Sequence, residues 1–132
     1  MPSKIPKKTK FQLKVKKSNA GLGLFTEESI PRGEFIIEYF GPRLSNKQAN
    51  ERGGKYLFEA QDGVVIDGSS RENLARYINH SCKPNSKAYS EGKRVMVYSK
   101  RKIEAGEEIT CHYGKEYFES IIKPQGCKCG HH

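Results

Sequence analysis

Four short segments hold residue types that could do chemistry. The first is Asn79-His80-Ser81-Cys82-Lys83-Pro84-Asn85, where Cys and His lie two apart. That pairing suits a metal or a nucleophile, although a stretch rich in Asn, Ser and Pro also forms an ordinary turn. The second is Cys127-Lys128-Cys129-Gly130-His131-His132. Cys-x-Cys followed by His offers three soft or borderline ligands and lacks a fourth for tetrahedral zinc, with Cys82 and Cys111 as the candidates. A terminal His pair is also the mark of an added tag. The third is Ile109-Thr110-Cys111-His112-Tyr113-Gly114, where a Tyr beside a Gly at a strand end can line a pocket or simply end the strand. The fourth is Gly21-Leu22-Gly23. Two glycines two apart let backbone approach a ligand, but the third glycine of a dinucleotide site is missing.

The elements that position these segments are short. Phe11, Leu13 and Val15 alternate with polar residues and predict a half-buried strand. Residues 18–23 read as a turn. Glu34 to Tyr39 reads as a buried strand, and Ser45 to Arg52 as a short helix capped by Ser45 and stopped by Gly53-Gly54. Tyr56 and Phe58 alternate in a strand, and Asp62-Gly63 turns the chain into Val64-Val65-Ile66. Asn73 to Ile78 allows one or two helical turns, and His80 to Asn85 is a loop. Lys87–Ser90 and Arg94–Ser99 form a hairpin around Gly92. Ile109 to Tyr113 is a further strand, and Lys115 to Lys123 a helix ended by Pro124. Many short strands with three small helices and no βα alternation predict a compact, mostly β fold.

The chain has 132 residues, with 24 Lys+Arg against 15 Asp+Glu and a net charge of +9. That length allows one domain. Leu, Ile, Val and Phe supply only 27 residues, so the core must be small. The apolar runs, such as Phe35-Ile36-Ile37, fall far short of the roughly 20 residues a membrane span needs. With no apolar stretch behind the first lysines, the reading is an intracellular protein of cytoplasm or nucleus, off the membrane, with reduced cysteines. Residues 1–17 carry seven lysines and no acid. They read either as an arm that touches nucleic acid or as a solubilising tail.

The order of the segments carries more than any one of them. It runs Gly21-Leu22-Gly23-Leu24-Phe25, Glu38-Tyr39-Phe40-Gly41, Tyr56-Leu57-Phe58, Ile66-Asp67-Gly68, then Asn73-Leu74-Ala75-Arg76-Tyr77-Ile78-Asn79-His80-Ser81-Cys82-Lys83-Pro84-Asn85. Gly106-Glu107-Glu108-Ile109-Thr110-Cys111-His112-Tyr113-Gly114 and Cys127-Lys128-Cys129 complete it. Over residues 11–132 this resembles the SET-domain family of protein-lysine methyltransferases. The stretch from Ala75 to Asn85 is its most specific part.

The resemblance implies a SET fold: small curled β-sheets with a C-terminal pseudoknot and few short helices. It divides the chain into a basic arm (1–10), a SET domain (11–114), and a C-terminal helix with a post-SET zinc-binding tail (115–132). It implies S-adenosylmethionine (SAM) as cofactor, bound by Leu22, Gly23, Arg76, Asn79, His80 and Tyr113. Tyr113 and Tyr39 become the catalytic aromatics of a lysine channel. Zinc is expected on Cys82, Cys127, Cys129 and His132, since the third post-SET cysteine of the family is absent. Cys111 stands where the family often has Phe or Tyr, which leaves room for di- or trimethylation. The partner is a protein bearing a target lysine, a histone or another basic protein, with nucleic acid reached through the basic surface. A catalytically silent SET-like module that binds chromatin or nucleic acid is the competing reading.

Overall fold

A computed structural model describes residues 7–19, 21–53 and 56–112. In chain order the strands are β1 (Leu13–Ser18), β2 (Gly21–Thr26), β3 (Phe35–Tyr39) and β4 (Arg43–Leu44). Helix α1 (Asn46–Arg52) follows, then β5 (Leu57–Glu59), β6 (Val65–Asp67), β7 (Asn79–His80), β8 (Ser86–Glu91), β9 (Arg94–Ser99) and β10 (Glu108–Cys111). Two single 3-10 turns, Gln61–Gly63 and Leu74–Tyr77, complete the described elements. The fold is β-rich, as the spacing of the apolar runs predicts. Among the described residues, no helix is long and apolar enough to cross a membrane.

The residues fall into two compact units, each built from separated stretches of chain. Among the described residues, one contains 7–10, Phe35–Arg76 and Ala88–Tyr98. In it β3 runs antiparallel to β9, with a register shift between Phe35 and Ile37. A separate three-stranded sheet has the order β4-β6-β5. Helix α1 starts with a full capping box: the Gln48 backbone N–H donates to the Ser45 hydroxyl, and the Ser45 N–H donates to the Gln48 side chain. Each bond satisfies a backbone or side-chain group that the helix end would otherwise leave orphaned. The helix buries Ala49 against Leu44 and Val65, with Leu57 at the edge. A second cluster packs Ala60, Ile66 and Val95 with Tyr39, Phe58, Val64 and Ala88.

The other unit comprises, among the described residues, Phe11–Glu34, Tyr77–Lys87 and 99–112. Its core holds Leu24, Ile30, Ile103 and Ile109, all fully buried. Strand β10 is its hub. It pairs antiparallel with β2 and parallel with both β7 and the start of β8. The predicted 18–23 turn is shorter than expected, because Gly21, Leu22 and Gly23 belong to β2 and pair with Ser18, Lys17 and Lys16.

The loop after β7 is stitched to β10 by polar side chains. The Asn85 amide donates to the Glu108 carbonyl at 2.7 Å, and its oxygen accepts from the Thr110 N–H at 2.9 Å. The Ser86 hydroxyl donates to the Thr110 carbonyl, and the Ser81 N–H to the Cys111 carbonyl at 3.0 Å. Asn85, Ser81 and Ser86 are all buried. Buried polar groups persist where each finds a partner, so this Asn- and Ser-rich stretch is a fixed part of the sheet.

Candidate active site

Asn79 is the crossroads of the second unit. Its side-chain amide reaches the Leu22 carbonyl at 2.9 Å, the Ser18 hydroxyl at 3.0 Å and the Glu108 carboxylate at 2.8 Å. An amide nitrogen has two hydrogens to share among these three acceptors. The contact to Leu22 spans 57 residues of sequence. Gly23 makes it possible: a Cβ there would lie 2.4 Å from a Glu108 carboxylate oxygen and 3.1 Å from the Asn79 amide. Three of the residues expected to hold cofactor, Leu22, Gly23 and Asn79, thus meet at one place. Glu108 and Ser18, not singled out from the sequence, complete it.

His80 follows Asn79 in β7, and successive strand residues point to opposite faces. Its ring is buried and turned to Cys82 and His112: Nε2 lies 3.5 Å from the Cys82 sulfur, and the two imidazole centroids are 4.5 Å apart at 66°.

In the first unit, Tyr39 and Arg76 converge on Tyr56. The Tyr39 hydroxyl donates to the Tyr56 carbonyl at 2.6 Å, and its ring tilts against Phe58 at 5.5 Å. The Arg76 guanidinium lies 4.4 Å over the Tyr56 ring, donates to its hydroxyl at 3.2 Å and reaches the Ser69 carbonyl. Stacking of a guanidinium on an aromatic face is electrostatically favourable. Gly68 lets this cluster close, since a Cβ on it would fall 2.3–2.5 Å from the tip of the Tyr39 ring. The buried Asn73 side chain fixes Gly68 by donating to its carbonyl at 3.0 Å. Tyr56 carries the arrangement, and its only sequence signal is its place in the Tyr56-Leu57-Phe58 segment.

Residues 21–114 match the family model described as "SET domain". The chain belongs to the SET-domain family. It is similar to the histone-lysine N-methyltransferase set1 of Dictyostelium discoideum, 40% identical over 80% of this chain and 8% of that protein. A Schizosaccharomyces pombe "Histone-lysine N-methyltransferase, H3 lysine-4 specific" is 39% identical over 83% of this chain and 13% of its own length. The Arabidopsis thaliana histone-lysine N-methyltransferase ASHR3 is 37% identical over 98% of this chain and 27% of its own. The chain therefore spans a small part of the relatives it matches.

Charge in this SET domain is carried by specific pairs. Arg94 forks onto the buried Glu38 carboxylate at 2.9 and 2.6 Å, which raises the pKa of the guanidinium, and the Lys7 backbone N–H adds a third bond at 2.8 Å. Such bidentate ion pairs are both strong and directional. Burial pushes the Asp67 carboxyl up, but hydrogen bonds from Ser69 and Arg52 outweigh it and hold the group below its ordinary value. At Glu107 the hydrogen bond from Arg101 dominates, and its carboxyl also stays low. Tyr113, Cys127, Cys129 and His132, with the expected C-terminal helix and pseudoknot crossing, lie outside the described residues.

Proposed function

We propose that this SET domain is a SAM-dependent protein-lysine N-methyltransferase that acts on a histone or a similarly basic protein. The observation that carries the reading is the Asn79 clamp on Leu22, inside a chain of SET-family sequence. Backbone without a side chain at Gly23, the Asn79 amide, the Ser18 hydroxyl and the Glu108 carboxylate meet beside the exposed Leu22, a set of donors and acceptors suited to SAM, which is zwitterionic and carries an added positive sulfonium. When bound, SAM supplies an electrophilic methyl. Leu22, Gly23, Asn79, His80, Arg76 and Tyr113 hold it in this reading, and Tyr39 and Tyr113 line the lysine channel.

The chain's task is to deliver a neutral amine in line. At an ordinary lysine pKa of about 10.4, neutrality at pH 7 costs about 4.6 kcal/mol. Aromatic walls disfavour the ammonium and lower that cost. Fixing the amine at reacting distance recovers several kcal/mol more. A dedicated general base is not needed. A structural zinc at Cys82 belongs to the same reading, with Cys127, Cys129 and His132 as its expected partners. The lysine-rich start and the +9 charge favour a nucleic-acid neighbour, whose binding would weaken steeply with salt.

Calorimetric titration with SAM tests the site. The folded chain should bind SAM, and Asn79→Ala should weaken binding at least tenfold. Failure of the folded, unsubstituted chain to bind SAM would overturn the reading.

A further inference from the structure

We propose that Glu108 is a positioning residue of the cofactor site: its carboxylate fixes which end of the Asn79 amide faces SAM. The inference rests on the SAM reading above and adds to it a residue that acts through Asn79. Strand register brings the two together. β10 lies between β2 and β7, with Glu108 paired to Phe25 and Thr110 paired to Asn79. Paired residues share a face of the sheet, and so do alternate residues along one strand. Gly23, Glu108 and Asn79 therefore meet on one face. A Cβ at Gly23 would overlap the carboxylate, so the glycine leaves Glu108 its place.

The partners decide the orientation of the amide. A carbonyl and an ionised carboxylate only accept hydrogen bonds, whereas a hydroxyl does either. The Leu22 carbonyl at 2.9 Å and the Glu108 carboxylate at 2.8 Å both demand the nitrogen end of Asn79. The Ser18 hydroxyl at 3.0 Å is compatible with it. Turning the amide over would set its oxygen against two acceptors. The oxygen end has no donor among the described residues, and it remains available to accept from a ligand. SAM offers ammonium, amine and hydroxyl hydrogens to such an acceptor. Glu107, next in sequence, is spent on Arg101 at 2.7 Å. Among the described residues no lysine or arginine pairs with Glu108, and its carboxylate is given to the Asn79 amide.

The test is a double-mutant cycle on the full chain, read by calorimetric titration with SAM. Glu108→Ala should weaken SAM binding about fivefold, and less than about twofold once Asn79 is already alanine, because residues that act as a unit are not additive. Glu108→Gln should stay within about twofold of the unsubstituted chain, since its side-chain oxygen can still accept from Asn79. A second readout needs no cofactor. The Asn79 side-chain amide resonance, assigned by its loss in Asn79→Ala, should move upfield in Glu108→Ala and little in Glu108→Gln. The same loss in both Asn79 backgrounds would overturn the proposal, as would Glu108→Gln as weak as Glu108→Ala, or an Asn79 resonance unmoved in folded Glu108→Ala. Failure of the unsubstituted chain to bind SAM would overturn the parent reading and this one with it. The resonance, read without SAM, tells that failure apart from a failure of Glu108 alone.

Discussion

Replacing Gly68 by alanine should loosen Tyr39 and nothing else at first hand. The new Cβ would stand 2.3 Å from the Tyr39 ring carbon that bears the hydroxyl and 2.5 Å from the oxygen, where ordinary contact begins at 3.4 Å. One partner must yield by about 1 Å, since overpacked side chains relieve such overlap by leaving their rotamers. The Gly68 backbone is poorly placed to move, because its N–H donates to the Tyr56 carbonyl at 2.9 Å and its carbonyl accepts from Asn73. Its φ is not in the left-handed region, so alanine adds no backbone strain. The ring must move, and its 2.6 Å bond to Tyr56 breaks. The lost bond costs about 1 kcal/mol, and overpacking adds about 1–3 kcal/mol. With an unfolding entropy of about 2.1 cal/mol/K per residue, the thermal midpoint should fall by roughly 7–14 °C. Under the proposed function Tyr39 lines the lysine channel, and a misplacement of about 1 Å can cost about 100-fold in rate, so lysine transfer should fall by that order. Gly68→Ala/Tyr39→Ala should show positive coupling, because the second change removes the clash. Thermal melts and steady-state transfer rates provide the measurement. A Gly68→Ala protein with unaltered midpoint and unaltered transfer would refute the argument that this contact holds Tyr39.

Three further outcomes follow from the same geometry. The Asp67 and Glu107 carboxyls titrate below their ordinary values of 3.8 and 4.5 in the folded chain; their stabilisation is therefore complete above about pH 4.5 and is lost as pH falls through the lower folded values. Urea denaturation across that range should show the loss, and Asp67→Asn should flatten the limb below pH 3.8. Gly41→Ala should be far more damaging than Gly68→Ala, because its Cβ would sit 1.8 Å from the Asp67 backbone oxygen, which has no flexible side chain to swing away; a soluble variant with a native-like melt would contradict this. Cys111→Phe overfills a buried position and should cost about 1–3 kcal/mol, while mass spectrometry of the product should show fewer methyls per lysine if Cys111 borders the channel.

What could be read from the sequence was local, and what could not was paired across distance. The Ser45 cap, the Gly53 stop and the hairpin at Gly92 are written in neighbouring residues, and the structure has them all, adding the Gln48 side chain that makes the cap a full capping box. Gly21-Leu22-Gly23 looked like a turn because glycine favours turns. In the fold Gly23 serves a carboxylate that arrives from residue 108, which no local pattern can reveal. The Asn79 to Leu22 contact and the meeting of His80 with His112 arise from strand pairing, so only the assembled sheet exposes them. The 79–85 segment illustrates both sides. Its polar residues marked it as unusual, but their role in lacing the chain to β10 depends on Thr110 and Glu108. The family itself was legible because seven separated segments occur in the right order, and the match over residues 21–114 agrees with it.

The most direct measurement is tandem mass spectrometry of core histones incubated with the chain and SAM bearing a deuterated methyl, beside a Tyr113→Phe control. The account predicts deuterated methyl on the side-chain nitrogen of a histone lysine, lost or strongly reduced in the control. Folded, SAM-binding protein that leaves every lysine in histones and in a broader set of basic proteins unlabelled would contradict it, and would favour a SET module that binds without catalysing.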